Sequence, residues 1–139
     1  MITRLSHSTI FVSDQDKAYN FYVNILGFKV HTDATMENGF RWLTIVPPNQ
    51  PNIQVTLLNP VNPFMNKDEE VRKAFQLLLD KQALGAGVLE TTDCKASYAE
   101  LKAKGVNFKS EPKEQFYGIE AVVEVGCGNW FSLTEPKEA

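Results

Sequence analysis

Few side chains in this 139-residue sequence can do chemistry near neutral pH, and their positions limit what that chemistry is. There are two histidines, His7 and His31. His7 falls in a strand-like run, where an imidazole serves either as a metal ligand or as a hydrogen-bonding group facing a substrate or a neighbouring strand. His31 shares a strand face with Lys29 and Asp33, which reads as solvated and without a role. Cys94 and Cys127 lack a CxxC spacing and fit small, partly buried thiols in a reducing compartment better than a disulfide framework. Glu90, with Val88 and Thr92 on its face, is either a solvated carboxylate or an acid with a raised pKa. Phe11, Phe40, Trp42 and Trp130 either stack on a planar ligand or fill a core. Tyr117-Gly118 precedes a strand, as a simple turn or as a hinge that lets the tyrosine touch ligand.

The elements that must position these groups follow from periodicity. Residues 2–12 read as a strand, after which Ser13 or Asp14 caps a helix. Ala18, Phe21, Tyr22 and Ile25 make one apolar helical face, and Gly27 ends it. Strands are predicted over 28–34, 40–46 and 53–58, with Glu37-Asn38-Gly39 as a hairpin turn. Val71, Phe75, Leu78 and Leu79 mark an amphipathic connector helix that ends before Gly85. Residues 86–92 read as a strand, Asp93 caps a helix carrying Cys94, Tyr98 and Leu101, and Gly105 closes it. Strands over 106–110, 119–125 and 130–134 complete the chain, the last pair joined at Cys127-Gly128-Asn129.

This is β-α-β-β-β twice: module one over 1–60, a connector over 61–85 and module two over 86–139. His7 precedes the capping Asp14 by seven residues, as Ala86 precedes Asp93, and Ile53-Gln54-Val55 matches Phe131-Ser132-Leu133. The expected fold is a single α+β domain whose two sheets curve around a shared cleft. Its 43% hydrophobic composition suffices for a core without staples. A formal charge of −3, from 17 acidic and 14 basic residues without runs of one sign, gives no footprint for nucleic acid or an anionic membrane. The opening residues lack the apolar run of a signal peptide, and no stretch approaches the roughly 18 apolar residues of a membrane span. A cytoplasmic protein is expected.

The segment LSHSTIFVSDQDKAYNFYVNILGF is similar to the opening module of glyoxalase and bleomycin-resistance proteins, the vicinal oxygen chelate superfamily that also includes extradiol dioxygenases. The strand histidine, Asp14 seven residues on, the Phe21-Tyr22 pair with Leu26-Gly27 and the closing Gly128-Asn129 carry the resemblance across essentially the whole chain. It implies paired modules around a cleft, often in a homodimer. In many members four strands each give one ligand to a divalent metal, which activates two neighbouring substrate oxygens while a carboxylate moves protons.

Carried over residue by residue, the resemblance puts the first-strand ligand at His7, able to hold Zn, Ni, Fe or Mn, and the fourth-strand ligand at Gln54. The second module has Ala86 where a histidine is expected and Ser132 where a glutamate is expected. Two neutral ligands without an anion hold a dication poorly, unless Glu90, four residues after Ala86, serves as a displaced ligand or a base. Val125-Gly126-Cys127-Gly128-Asn129 also departs from the usual Asp-Pro-x-Gly-Asn turn. Two functions follow as expectations. One is metal-independent binding of a small molecule by His7, Phe11, Trp42, Gln54, Glu90, Tyr117, Trp130 and Ser132. The other is a metal-dependent lyase, isomerase or dioxygenase that uses His7 and Gln54 with Glu90 as the catalytic acid or base.

Overall fold

The computed structural model describes residues 1–138. Module one begins with β1 (His7–Phe11), followed by α1 (Gln15–Tyr19), which runs into a π-helical turn over Asn20–Ile25. Three strands then follow: β2 (Lys29–Thr35), β3 (Arg41–Val46) and β4 (Gln54–Leu58). The connector helix α2 spans Glu69–Asp80. Module two comprises β5 (Leu84–Glu90), α3 (Cys94–Ala103), β6 (Asn107–Gln115), β7 (Gly118–Glu124) and β8 (Asn129–Pro136).

Each module folds into one four-stranded mixed sheet, and the two orders correspond: β1-β4-β3-β2 and β5-β8-β7-β6. In each, the first strand pairs in parallel with the last and the other pairs are antiparallel. The fold is α+β. Local chemistry starts and stops the helices. The carboxylates of Asp14, Asp68 and Asp93 accept hydrogen bonds from amides in the first turns of their helices, satisfying donors that have no intrahelical partner. Arg41 joins sheet to helix by bonding Asp33 on β2 and Asp16 on α1, at 2.8 and 2.6 Å.

A single core lies between the two modules. Ala18, Phe21 and Tyr22 from the first helix pack in one cluster with Leu43, Ile45 and Leu57 of sheet one and Ala121, Val123, Phe131 and Leu133 of sheet two. Tyr22 and Phe131 meet edge to face, their centroids 6.0 Å apart. Two hydrogen bonds cross the junction: the Ser13 amide donates to the Cys127 carbonyl at 2.9 Å, and the Asn129 side-chain amide donates to the Phe11 carbonyl at 2.7 Å.

Several strand boundaries differ from expectation for local reasons. β1 starts at His7, where its register with β4 begins; before it only the Ser6 carbonyl bonds to that strand, from the Gln54 amide, and Ile2 and Leu5 are exposed. α2 stops through Gln82, which takes the left-handed conformation (φ 53°), so Gly85 is free to lie inside β5. β6 continues past Pro112 to Gln115, because it is an edge strand and a register irregularity between Ser110 and Lys113 accommodates the proline. Of the two readings of Tyr117-Gly118, the structure has the simple turn. Gln115 pairs with Gly118, leaving Phe116 and Tyr117 as a two-residue hairpin turn.

Candidate functional site

Strand alternation divides each sheet into a face against the shared core and a face turned away from it. In sheet one, Ile10, Val55, Leu57, Leu43 and Ile45 point to the core. The opposite parity carries His7, Phe11, Gln54 and Trp42, so these four share the outer face. His7 stands directly across from Gln54, and its ring lies 6.4 Å from the Trp42 ring. The imidazole Nδ1 is 2.8 Å from the Ser6 hydroxyl. Phe11 is half-buried, its ring tilted against that of Phe75 of α2 with centroids 5.0 Å apart, and so serves the helix junction. Thr44 and Thr56, paired across β3 and β4, form the buried floor of this face, and the Thr44 hydroxyl has no protein partner among the described residues.

In sheet two, Phe131 and Leu133 face the core while Trp130, Ser132 and Thr134 face outward. A bulge between Gly85 and Gly87 resets β5 against them. Ser132 therefore stands across from Val88, not Ala86, and Ala86 packs against the core. The expected alternation from Ala86 to Glu90 is broken by that extra residue. Glu90 pairs with Thr134 and is exposed at the end of β5, bordering an open groove of about 660 Å³ with Phe28, Pro47, Ser97 and Glu100. Trp130 is pinned in place: its indole N–H points at the Ala83 carbonyl, 3.4 Å away, and its ring lies against Gly85.

The second face also holds a hydrogen-bond chain. Tyr117 donates to one oxygen of Glu120 at 2.5 Å, and Ser132 donates to the other at 2.5 Å. The Ser132 and Thr134 hydroxyls are 2.6 Å apart. The Glu120 carboxylate beside Tyr117 raises the phenol's pKa, since it stabilises the protonated form. Glu120 and Thr134 were not among the residues predicted for the site. Their signal is present in the sequence, because Glu120 alternates with Ala121 and Val123 of the core and Thr134 lies two positions past Ser132.

The candidate residues thus fall into two groups on two sheets. His7, Gln54 and Trp42 come together; on sheet two Glu120 joins Tyr117 to Ser132, and Trp130 lies two residues before Ser132, toward the other end of β8. Of the candidate residues Glu90 lines the groove of about 660 Å³, while the two groups lie on the outer faces of their sheets. The four positions do not fit a divalent metal. His7 and Gln54 are neutral, Val88 has no donor atom, and the Ser132 hydroxyl proton is held by Glu120. Among the described residues no three His, Cys, Asp or Glu side chains are placed to hold a metal ion, and no helix is long and apolar enough to cross a membrane.

Comparison with known proteins agrees with this architecture. The model of the glyoxalase/bleomycin resistance protein/dioxygenase superfamily matches residues 4–133. The chain belongs to that superfamily. An uncharacterized protein of Bacillus subtilis (strain 168), YurT, is 33% identical over 92% of this chain and 95% of its own. The solved structure of UcmS2 is 41% identical, with a TM-score of 0.82 over 97% of this chain and 99% of that one. TnmS3, an antibiotic binding protein from Streptomyces sp. CB03234, is 28% identical, with a TM-score of 0.72 over 98% of both chains.

Proposed function

We propose that this protein binds a flat aromatic small molecule, without metal, in a site formed when two copies pair. The outer face of sheet one from one copy, with His7, Trp42 and Gln54, would meet the outer face of sheet two from the other, with Tyr117, Trp130 and Ser132. A homodimer of this kind contains two equivalent sites. The carrying observation is the division of one candidate site over two outward faces, each with a tryptophan beside polar groups and each incomplete alone. Exposed apolar area supports the pairing, since Val88 on the second face is 67% exposed. The likeness to TnmS3, an antibiotic binding protein, supports sequestration of a drug-like compound as the purpose. Two free, buried thiols suit a reducing cytoplasm.

A second reading has one observation in its favour: His7 and Gln54 stand directly opposite each other, as two ligands of a rearranged metal site would. In that reading the protein is a metal-dependent lyase, isomerase or dioxygenase. The test titrates the purified protein with a panel of aromatic antibiotics, following tryptophan fluorescence with and without EDTA, and analyses each mixture by mass. Binding predicts saturable quenching that EDTA leaves unchanged and ligand recovered intact. EDTA-sensitive binding, or conversion of the compound, would favour the enzyme instead.

A further inference from the structure

The hydrogen-bond chain on sheet two has a direction, and that direction selects a ligand. Each hydroxyl has one proton to donate, and a carboxylate has none. Tyr117 and Ser132 both give theirs to Glu120. With its proton used, Ser132 can only accept in its 2.6 Å contact with Thr134, so Thr134 is the donor there. All three hydroxyl protons therefore point inward along the chain. What the network offers outward is lone pairs only, on the Tyr117 oxygen and on the carboxylate. Tyr117 is 39% exposed, whereas Ser132 and Thr134 are nearly closed off, so the phenol oxygen and Glu120 form the accessible end.

Beside the chain the face is apolar around Ser132, while Lys113 of β6 stands across from Glu120 and Glu90 of β5 across from Thr134. Val122 pairs with Ser132 on the same face, Val88 lies across from Ser132 on β5, and Trp130 is two residues from Ser132 on that face. A ligand that lies on this wall and presents an acceptor to the chain leaves lone pairs facing lone pairs, which costs more than a missing bond. A ligand that presents a hydroxyl completes the chain with a charge-assisted bond.

We infer that the acceptor-only chain Tyr117–Glu120–Ser132–Thr134 makes this site selective for hydroxylated aromatic compounds, whose phenolic hydrogen it accepts, over their O-methylated forms. The inference rests on the proposed aromatic site and sharpens it by naming the functional group. Neither Trp130 nor the apolar residues distinguish a phenol from its methyl ether, and the Lys113 ammonium can donate to the oxygen of either, so the selectivity belongs to the chain.

The test uses two probes of one shape, 2,6-dihydroxynaphthalene and 2,6-dimethoxynaphthalene, titrated against the full-length protein and two variants. The wild type should bind the diol about tenfold more tightly than the dimethyl ether. Glu120→Gln supplies an amide donor and lets one hydroxyl turn outward, so the ratio should fall to about threefold or less. Tyr117→Phe, at an exposed turn position where folding is not at stake, removes the phenol lone pairs, so it should weaken the diol, tighten the ether and lower the ratio to about threefold or less. Equal binding of both probes by the wild type, or a tenfold preference that persists in both variants, would overturn the inference while leaving an aromatic site in place. If neither probe binds, the aromatic site itself fails, and the inference with it.

Discussion

Gly85 lies flat beneath the indole of Trp130. A methyl group on Gly85 would stand 2.8 Å from the ring carbon Cζ2 and within 3.2 Å of two more ring atoms, closer than carbon atoms pack. The glycine here is needed for space rather than for an unusual backbone angle, and it sets the height at which the tryptophan sits on the outer face.

Gly85→Ala should therefore push the ring off its seat. We expect a loss of about 1–2 kcal/mol in stability from overpacking, and about a tenfold loss of affinity for an aromatic ligand. Trp130 emission, read in a Trp42→Phe background, reports the displacement directly. An unchanged spectrum and unchanged affinity would show that the ring has no fixed role.

Tyr22 shows the opposite case, a polar atom the fold does not use. The residue is fully buried between the modules, its hydroxyl has no protein partner among the described residues, and burial drives its pKa far up. Removing an unsatisfied buried hydroxyl costs no interaction, so Tyr22→Phe should leave stability unchanged or raise it by up to about 1 kcal/mol. Urea unfolding decides this. A loss greater than that would mean the hydroxyl has a partner.

The thiols give a pH prediction. Burial, with the nearby Asp14 carboxylate, pushes the Cys127 thiol up to about 12, and burial also raises Cys94. A thiol whose folded pKa is raised favours folding fully below the unfolded value of about 8.5, and that contribution is lost as pH rises toward 12. Cys127→Ala should accordingly lose stability less steeply than the wild type across this alkaline window. In the native protein at about pH 8, iodoacetamide should leave both thiols unmodified, whereas in concentrated urea both should react. Rapid native labelling of Cys127 would contradict its burial.

Much of this structure was legible in the sequence because it is fixed locally. Asp14 and Asp93 cap where an oxygen was expected to receive an amide, and Gly27 and Gly105 take the left-handed angles predicted at the helix ends. The repeat followed from those signals. What could not be read depends on pairing between distant strands. The Gly85-Ala86-Gly87 bulge changes which residue opposes Ser132, and only the partner strand reveals it, although two glycines within three strand residues are a recognisable hint. The Glu120 chain likewise exists only once β7 and β8 are in register. The separation of the candidate residues also depends on global packing: within one chain the modules share the core that includes Tyr22 and Phe131, and the candidate residues sit on the opposite strand parity.

That division makes the central claim open to a complementation experiment. Trp42→Ala and Trp130→Ala damage different sheets, so each variant alone should lose aromatic-ligand binding at every site. In a dimer that holds one chain of each kind, one site receives both damaged faces and the other receives two intact faces. Refolding the variants together in equal amounts should restore about a quarter of the wild-type sites at wild-type affinity. Titration of that mixture, with no sites recovered, would contradict a binding site shared between two copies.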